Sequence, residues 1–396
     1  MRTIFKLYRA FLASSLAFTL DTLYLNWNTT FPAVTVCEIY NGEKNWDISE
    51  NYFGVGRDHR IDDYVADITF FSGKCHTCSY CEDIACPTNF EELISNFRTA
   101  CRQLITNCSW IGEPFDCCSE FRPLNTEYGL CYSFNSLQTE PYSDLKFINN
   151  RETGPGSLRF ALSEDTQIHV HPPNDIPYMM SEGVIRETVL WGSSKEIIFN
   201  AVEILNDPAV KIFSPEHRKC RFYNEIEERD YQLYPFYSYS TCIVECMKQA
   251  HLQLCDCTTH FMPHADNDSF YAICGIEGLK CLSDQYELLI EMRKNCECLS
   301  SCEEPEYNVI YTSGESDGDD AASIITISMI SLPTQRYIRK VVKTNLDLII
   351  SVGGIAGLFF GASLLSIIEI FYNGCIYLSN FRRTRIQRLT KKQHKK

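Results

Sequence analysis

The sequence predicts a membrane protein of the α+β class, with a disulfide-rich, strand-rich extracellular domain ahead of a helix that crosses the bilayer. Two observations carry this. The stretch LDLIISVGGIAGLFFGASLLSIIEIFYNGCIYL, from Leu346 to Leu378, holds 21 uncharged residues between Asp347 and Glu369. At about 1.5 Å rise per residue they cover the ~30 Å hydrocarbon layer. Of 21 cysteines, 20 lie between Cys37 and Cys302, a density that belongs to an oxidising compartment and a disulfide framework.

Charge is sorted in the same sense. The tail from Asn380 carries eight Lys and Arg residues and no acid, which places it in the cytoplasm by the positive-inside rule. The head adds Arg2, Lys6 and Arg9, so the middle of the chain keeps 25 bases against all 51 acids. That balance excludes nucleic acid as a partner and favours cations at the outer face. Acceptor sequons at Asn28, Asn107 and Asn267 lie in or beside the cysteine block and mark them as glycosylation sites on an extracellular surface.

Taken in order, Ala10 to Leu20 is uncharged for 11 residues after a basic start, the outline of a signal peptide, without a clear small-x-small cleavage site before Asp21. Asn28 to Cys37 alternates like a strand opened by Pro32. Cys75, Cys78, Cys81 and Cys86, with His76 among them, have zinc-like spacing, but the compartment favours disulfides. Apolar residues recur at helical spacing from Glu91 to Cys108, predicting a helix crosslinked at Cys101 and Cys108. Gly129 to Tyr132 and Thr166 to Pro172 read as strands, the latter with His169 and His171 on one face. Ile197 to Ile212 supplies another extended run. Helices are expected over Tyr239 to Leu254 and Asp284 to Arg293, then strands from Tyr307 and over Ser323 to Ser328.

No catalytic constellation, metal site or cofactor site emerges. Gly314 to Gly318 fits the G-x-S-x-G pattern around Ser316, but that elbow needs a helix directly after it. Here Asp319, Asp320 and a β-branched run follow, as in an acidic hairpin tip. The apolar stretch is more informative. Gly353, Gly357 and Gly361 recur every fourth residue, with Ser351, Ala362, Ser363 and Ser366 among them. Small residues let helices approach closely, and Glu369 at bilayer depth requires protein or water beside it. Several copies meeting here would turn backbone carbonyls and hydroxyls toward a shared axis, where they can replace water around a small cation. A tightly packed dimerising anchor is the plainer account of the same residues.

The run Gly353 to Glu369, GGIAGLFFGASLLSIIE, together with FPAVTVC at Phe31 to Cys37, the Val170-His171-x-Pro173 segment, Ser214 to Cys220 and the cysteines from Cys242 to Cys302, resembles the degenerin and epithelial sodium channel family. The likeness is strongest to its arthropod pickpocket branch. The resemblance implies a trimeric channel whose subunits have two transmembrane helices flanking the ectodomain, with both termini cytoplasmic. It implies a selectivity filter at Gly361, Ala362 and Ser363, and a gate region around Ile350, Ser351, Gly353, Gly354 and Gly357. Glu369 would supply charge at the inner side. An aspartate that acid-gated members carry near the gate corresponds to Ser351, which puts proton gating of that kind in doubt. The cytoplasmic His-Gly motif is absent, and counting back from Phe31 places Met1 inside the family's first helix.

The expected organisation is a truncated or degenerate remnant of the first transmembrane helix at 1–20 and a cysteine-rich extracellular domain at 21–344. The pore-lining helix spans 345–379 and a basic cytoplasmic tail 380–396. The expected function is a sodium-permeable, amiloride-sensitive, stimulus-gated channel subunit in the plasma membrane, a homo- or heterotrimer in contact with lipid and sodium ions. Two alternatives remain: a single-pass disulfide-rich receptor or adhesion protein with a cleaved signal, and a short subunit that does not conduct alone.

Overall fold

A computed structural model describes residues 5–6, 9, 11, 16–23, 26–140, 145–180, 185–226, 233–263, 272–316, 322–361, 365–366 and 368–377. It divides into two compact units. The larger comprises Thr19–Asn206 and Phe213–Ile338; the smaller comprises Met1–Phe18, Asp207–Ile212 and Arg339–Lys396.

The strands that form the two large sheets are, in chain order, β1 (Leu16–Asp21), β2 (Ala33–Glu38), β3 (Ile105–Trp110), β4 (Glu113–Pro114), β5 (Arg122–Thr126) and β6 (Gly129–Phe134). They continue with β7 (Ser157–Leu162), β8 (Thr166–His171), β9 (Ile185–Val189), β10 (Ser193–Asn206), β11 (Glu306–Ser316), β12 (Ser323–Met329) and β13 (Arg336–Val341). The helices longer than two turns are α1 (Gly42–Phe53), α2 (Arg60–Thr69), α3 (Phe90–Phe97), α4 (Tyr239–Cys255), α5 (Ile276–Asp284), α6 (Tyr286–Lys294) and α7 (Asn345–Phe360).

One sheet of the larger unit runs β9-β8-β2-β6-β5 and is antiparallel at every pair. The other follows the path β1-β13-β10-β12-β7-β3-β4, with β11 also on β10. Its long strand β10 pairs antiparallel with β11 and parallel with β12. Period-2 patterning decides what faces inward. Ile197, Phe199 and Ala201 of β10 and Ile325, Ile327 and Met329 of β12 all enter one core, around Phe31, Phe134 and Phe160. A second core lies among the helices, built on Tyr64, Ile68, Leu93, Phe97, Val244, Met247 and Leu279.

The helices begin where side chains satisfy orphan backbone donors. Asn41 and Asn89 accept from the backbone N–H groups of Lys44 and Glu92. Ser238 and Thr241 cap α4 reciprocally. Ten disulfides join all 20 cysteines from Cys37 to Cys302, and Cys375 is free. Cys75–Cys78 and Cys81–Cys86 are disulfides, as the compartment argument required.

Four sequence expectations change. The helix expected from Glu91 to Cys108 stops at Phe97, because Arg98 turns to an extended conformation; one helical turn at Cys101–Leu104 follows, and Ile105 opens β3. Leu104 and Ile105 are both buried, but β3 does so by pairing with β7. The run to Ile212 ends as a strand at Asn206, ahead of Pro208, which has no N–H for a ladder. The helix expected from Asp284 is α6, and α5 precedes it, separated by Gln285. Leu16 to Leu20, expected as the end of a membrane helix, lies in β1.

Candidate functional site

The segment that the sequence marks as pore-lining lies in the smaller unit. Thr344 opens α7 with a reciprocal cap: its N–H and hydroxyl both donate to the Asp347 carboxylate at 2.8 Å, and the Asp347 N–H donates back to the Thr344 hydroxyl at 3.2 Å. An acid in the first turn also suits the positive end of the helix. Helix α7 runs 16 residues to Phe360, about 24 Å at 1.5 Å per residue. It ends at Gly361, whose φ of 60° is left-handed. Such a residue terminates helices and costs little only for glycine. Residues 365–366 and 368–377 are helical again.

One continuous crossing helix over Leu346 to Leu378 is therefore corrected to a segment interrupted at Gly361. Among the described residues, no helix is long and apolar enough to cross a membrane. Ala362 and Ser363, expected with Gly361 as the filter, lie outside the described residues, as does Asn267. What is described at the interruption has a chemical capacity. The last four carbonyls of a helix lack intrahelical partners, so the C-terminal backbone oxygens of α7 point along its axis toward Gly361.

Ile350, Gly354 and Gly357 recur at helical spacing and so fall on one side of α7. A Cβ added at Gly353, Gly354 or Gly361 would meet nothing within 4 Å. Leu346, Ile349, Ile350 and Leu358 are exposed on the single chain, as are Leu365, Ile370 and Phe371 beyond the break. Ser351 and Glu369 are exposed as well. An apolar surface of this extent requires lipid or protein against it.

In the larger unit Phe31 and Arg336 are both firmly held. Phe31 is fully buried, edge-on to Trp110 at 4.7 Å and to Phe199 at 5.5 Å between ring centres. Its carbonyl accepts from Asn135 Nδ2 at 2.6 Å. Arg336, beside Tyr337, forms an ion pair with Glu203 of β10, and its Nη2 donates to the Asn28 carbonyl at 2.6 Å and to the Thr29 hydroxyl at 3.2 Å. Burial raises the Glu203 carboxyl above its ordinary range, against the lowering influence of Arg336. Sequence reasoning missed this knot. Its one signal was a glutamate at the next inward position of β10, after Ile197, Phe199 and Ala201.

His169 and His171, which share one face of β8, are both buried. The His171 Nδ1–H donates to the Pro172 carbonyl at 2.8 Å, so Nε2 accepts from the Thr35 hydroxyl at 2.7 Å. Burial pushes His171 down to about 4 and His169 down to about 3, the latter with help from His171 and Arg186. Asn28 and Asn107 are exposed. Ser316 ends β11, and residues 317–321 after it lie outside the described residues.

A sequence profile of the family described as "Amiloride-sensitive sodium channel" matches residues 1–373. Among similar curated proteins, "Sodium channel protein Nach" of Drosophila ananassae is 27% identical over 314 residues, covering 71% of this chain and 58% of the relative. "Pickpocket protein 11" of Drosophila melanogaster is 24% identical, covering 72% and 57%. "Acid-sensing ion channel 4-B" of Danio rerio is 23% identical, covering 86% and 62%. The chain thus spans about three-fifths of the length of these relatives. With a profile match over nearly its whole length, the chain belongs to the amiloride-sensitive sodium channel family.

Proposed function

We propose that this chain is a subunit of a sodium-permeable, amiloride-sensitive cation channel in the plasma membrane, gated by a stimulus acting on its ectodomain. Three copies, identical or related, bring their α7 segments together. The observation that carries the reading is the interruption at Gly361: a helix C-terminus and small residues coincide on a segment whose apolar flanks are exposed in one chain. Cations drawn by the acidic ectodomain shed water against oxygens at Gly361, Ala362 and Ser363. Ile350, Ser351, Gly353, Gly354 and Gly357 form the gate above, and Glu369 offsets charge on the inner side. The ectodomain is extracellular, with glycans at Asn28, Asn107 and Asn267, and the basic tail is cytoplasmic. Residues 345–379 form the second membrane pass, and the chain upstream of β1 belongs to the first.

The mechanism is selection, not catalysis. A single-pass receptor would require a mature end near Asp21, and such a cut would remove most of β1, which is paired in the larger sheet path. The test is current across a membrane containing the purified chain, with sodium and then N-methyl-D-glucamine as the permeant ion. Sodium current blocked by amiloride, together with modification of cysteines placed at 361 and 363 by water-borne thiol reagents, is the expected result. Absence of current with both cysteines unreactive overturns the reading.

A further inference from the structure

The larger unit holds a cavity of about 690 Å³ that the pore reading does not use. Its volume falls in the range of small-molecule sites. Apolar walls come from Phe90 and Ile94 of α3, from Leu130 on β6, and from Ile273. Two polar groups in that wall are incompletely satisfied. Arg98 uses Nε and Nη2 on the Thr69 carbonyl, at 3.0 and 2.9 Å, and Nη2 again on the Tyr128 carbonyl at 2.8 Å. Its Nη1 is buried without an acceptor among the described residues. The guanidinium is held in place by the rings of Phe70 and Phe261, at 4.8 and 5.1 Å.

His260 is the second group. Its Nε2 lies 2.8 Å from the Ile68 carbonyl, an acceptor, so Nε2 carries the proton and Nδ1 is a bare acceptor. Nδ1 too is buried without a partner among the described residues. Burial keeps this imidazole neutral, pushing it down to about 4. Leaving a buried donor and a buried acceptor unmet costs on the order of 1–3 kcal/mol each, and the pair is complementary to a group that accepts and donates at once. Glu38, also in the wall, acts electrostatically on Arg98 and offsets its charge, so the cavity does not call for an anion.

We propose that this cavity is a binding site for a small uncharged amphiphile, an apolar body carrying a carboxamide whose carbonyl accepts from Arg98 Nη1 and whose N–H donates to His260 Nδ1. No covalent step is involved. The apolar body lies against Phe90, Ile94, Leu130 and Ile273. Binding is measured without current, so its failure is distinct from failure of the channel reading.

The test uses the full chain in lipid nanodiscs and three probes with one apolar body: 3-phenylpropanamide, 3-phenylpropanoate and 3-phenylpropylamine. Calorimetry and ligand-observed NMR should show the amide binding at least tenfold more tightly than either charged analogue. Leu130 and Ile273 are 40% and 53% exposed, so Leu130→Trp and Ile273→Trp can narrow the cavity without entering the core. Each should weaken amide binding about tenfold while circular dichroism stays unchanged. Equal binding of the three heads, no saturable amide binding by the folded chain, or affinity unchanged in both variants overturns the proposal.

Discussion

Replacing Arg336 by methionine isolates the buried link between β13, β10 and the segment at Asn28. The Arg336 and Glu203 side chains are only 7% and 11% exposed, so little solvent is available to either when its partner is removed. Arg336→Met deletes the ion pair and the bonds to the Asn28 carbonyl and Thr29 hydroxyl while roughly keeping the volume. Leaving one member of a buried pair uncompensated costs about 3–5 kcal/mol. Replacing both members by apolar groups avoids that cost, so Arg336→Met with Glu203→Leu should lie within about 1 kcal/mol of the parent.

The pH dependence has a definite sign. Glu203 has a raised folded value, so its contribution is fully present below the unfolded carboxylate range near 4.3 and is lost as pH rises through the folded value. Without Arg336 the folded value climbs further, because the lowering influence has gone. The deficit of Arg336→Met relative to parent should therefore be larger at pH 7.5 than at pH 4.5. Urea unfolding with disulfides intact, followed by tryptophan fluorescence, reads it directly, since Trp27 lies 4.4 Å from the Arg336 guanidinium. A single variant within about 1 kcal/mol of parent at pH 7.5, or a double variant no better than the single, would refute the reasoning.

Three other outcomes follow from the same geometry. His169, His171, His251 and His260 are all depressed by burial, to about 3, 4, 4 and 4; ectodomain stability should therefore be full above pH 6.5 and fall toward pH 4, each histidine contributing up to about 1.4 kcal/mol per pH unit. Unfolding midpoints across that range, flat where a decline is expected, would exclude it. Gly361→Val should strain the left-handed position by roughly 1–2 kcal/mol and alter sodium selectivity, measured as the reversal potential against a large cation; unchanged selectivity would show that the break is not used. Replacing Cys220 and Cys302 together by serine opens a link across 82 residues and should destabilise the larger unit by about 2–5 kcal/mol, while no change in the urea midpoint would contradict it.

Strands with strict alternation were legible in the chain, and β12 is the clearest case, since Ser323, Ile325, Ile327 and Met329 face inward as their spacing demands. The oxidised state of the cysteines was legible too, but not the pairings, because Cys242 meets Cys298 and Cys246 meets Cys296 only after α4 packs against the loop following α6. The helix expected through Cys108 failed for a physical reason: Leu104 and Ile105 fit an apolar helix face and a buried strand equally well, and sheet pairing decided between them. The Arg98 cavity had no local signature. Its two polar groups are far apart in sequence and meet only in the folded helical core. In the apolar segment from Leu346, the glycine spacing was readable, whereas the left-handed turn at Gly361 becomes visible only as a dihedral angle.

That turn has an electrical consequence. A helix ending at Gly361 places the negative end of its macrodipole there, equivalent to about half an elementary charge per copy. Attraction for a cation at that level would thus arise from aligned peptide units, which have no proton to gain in the physiological range. That contribution therefore persists across the acid range in which the buried imidazoles of the larger unit take up protons.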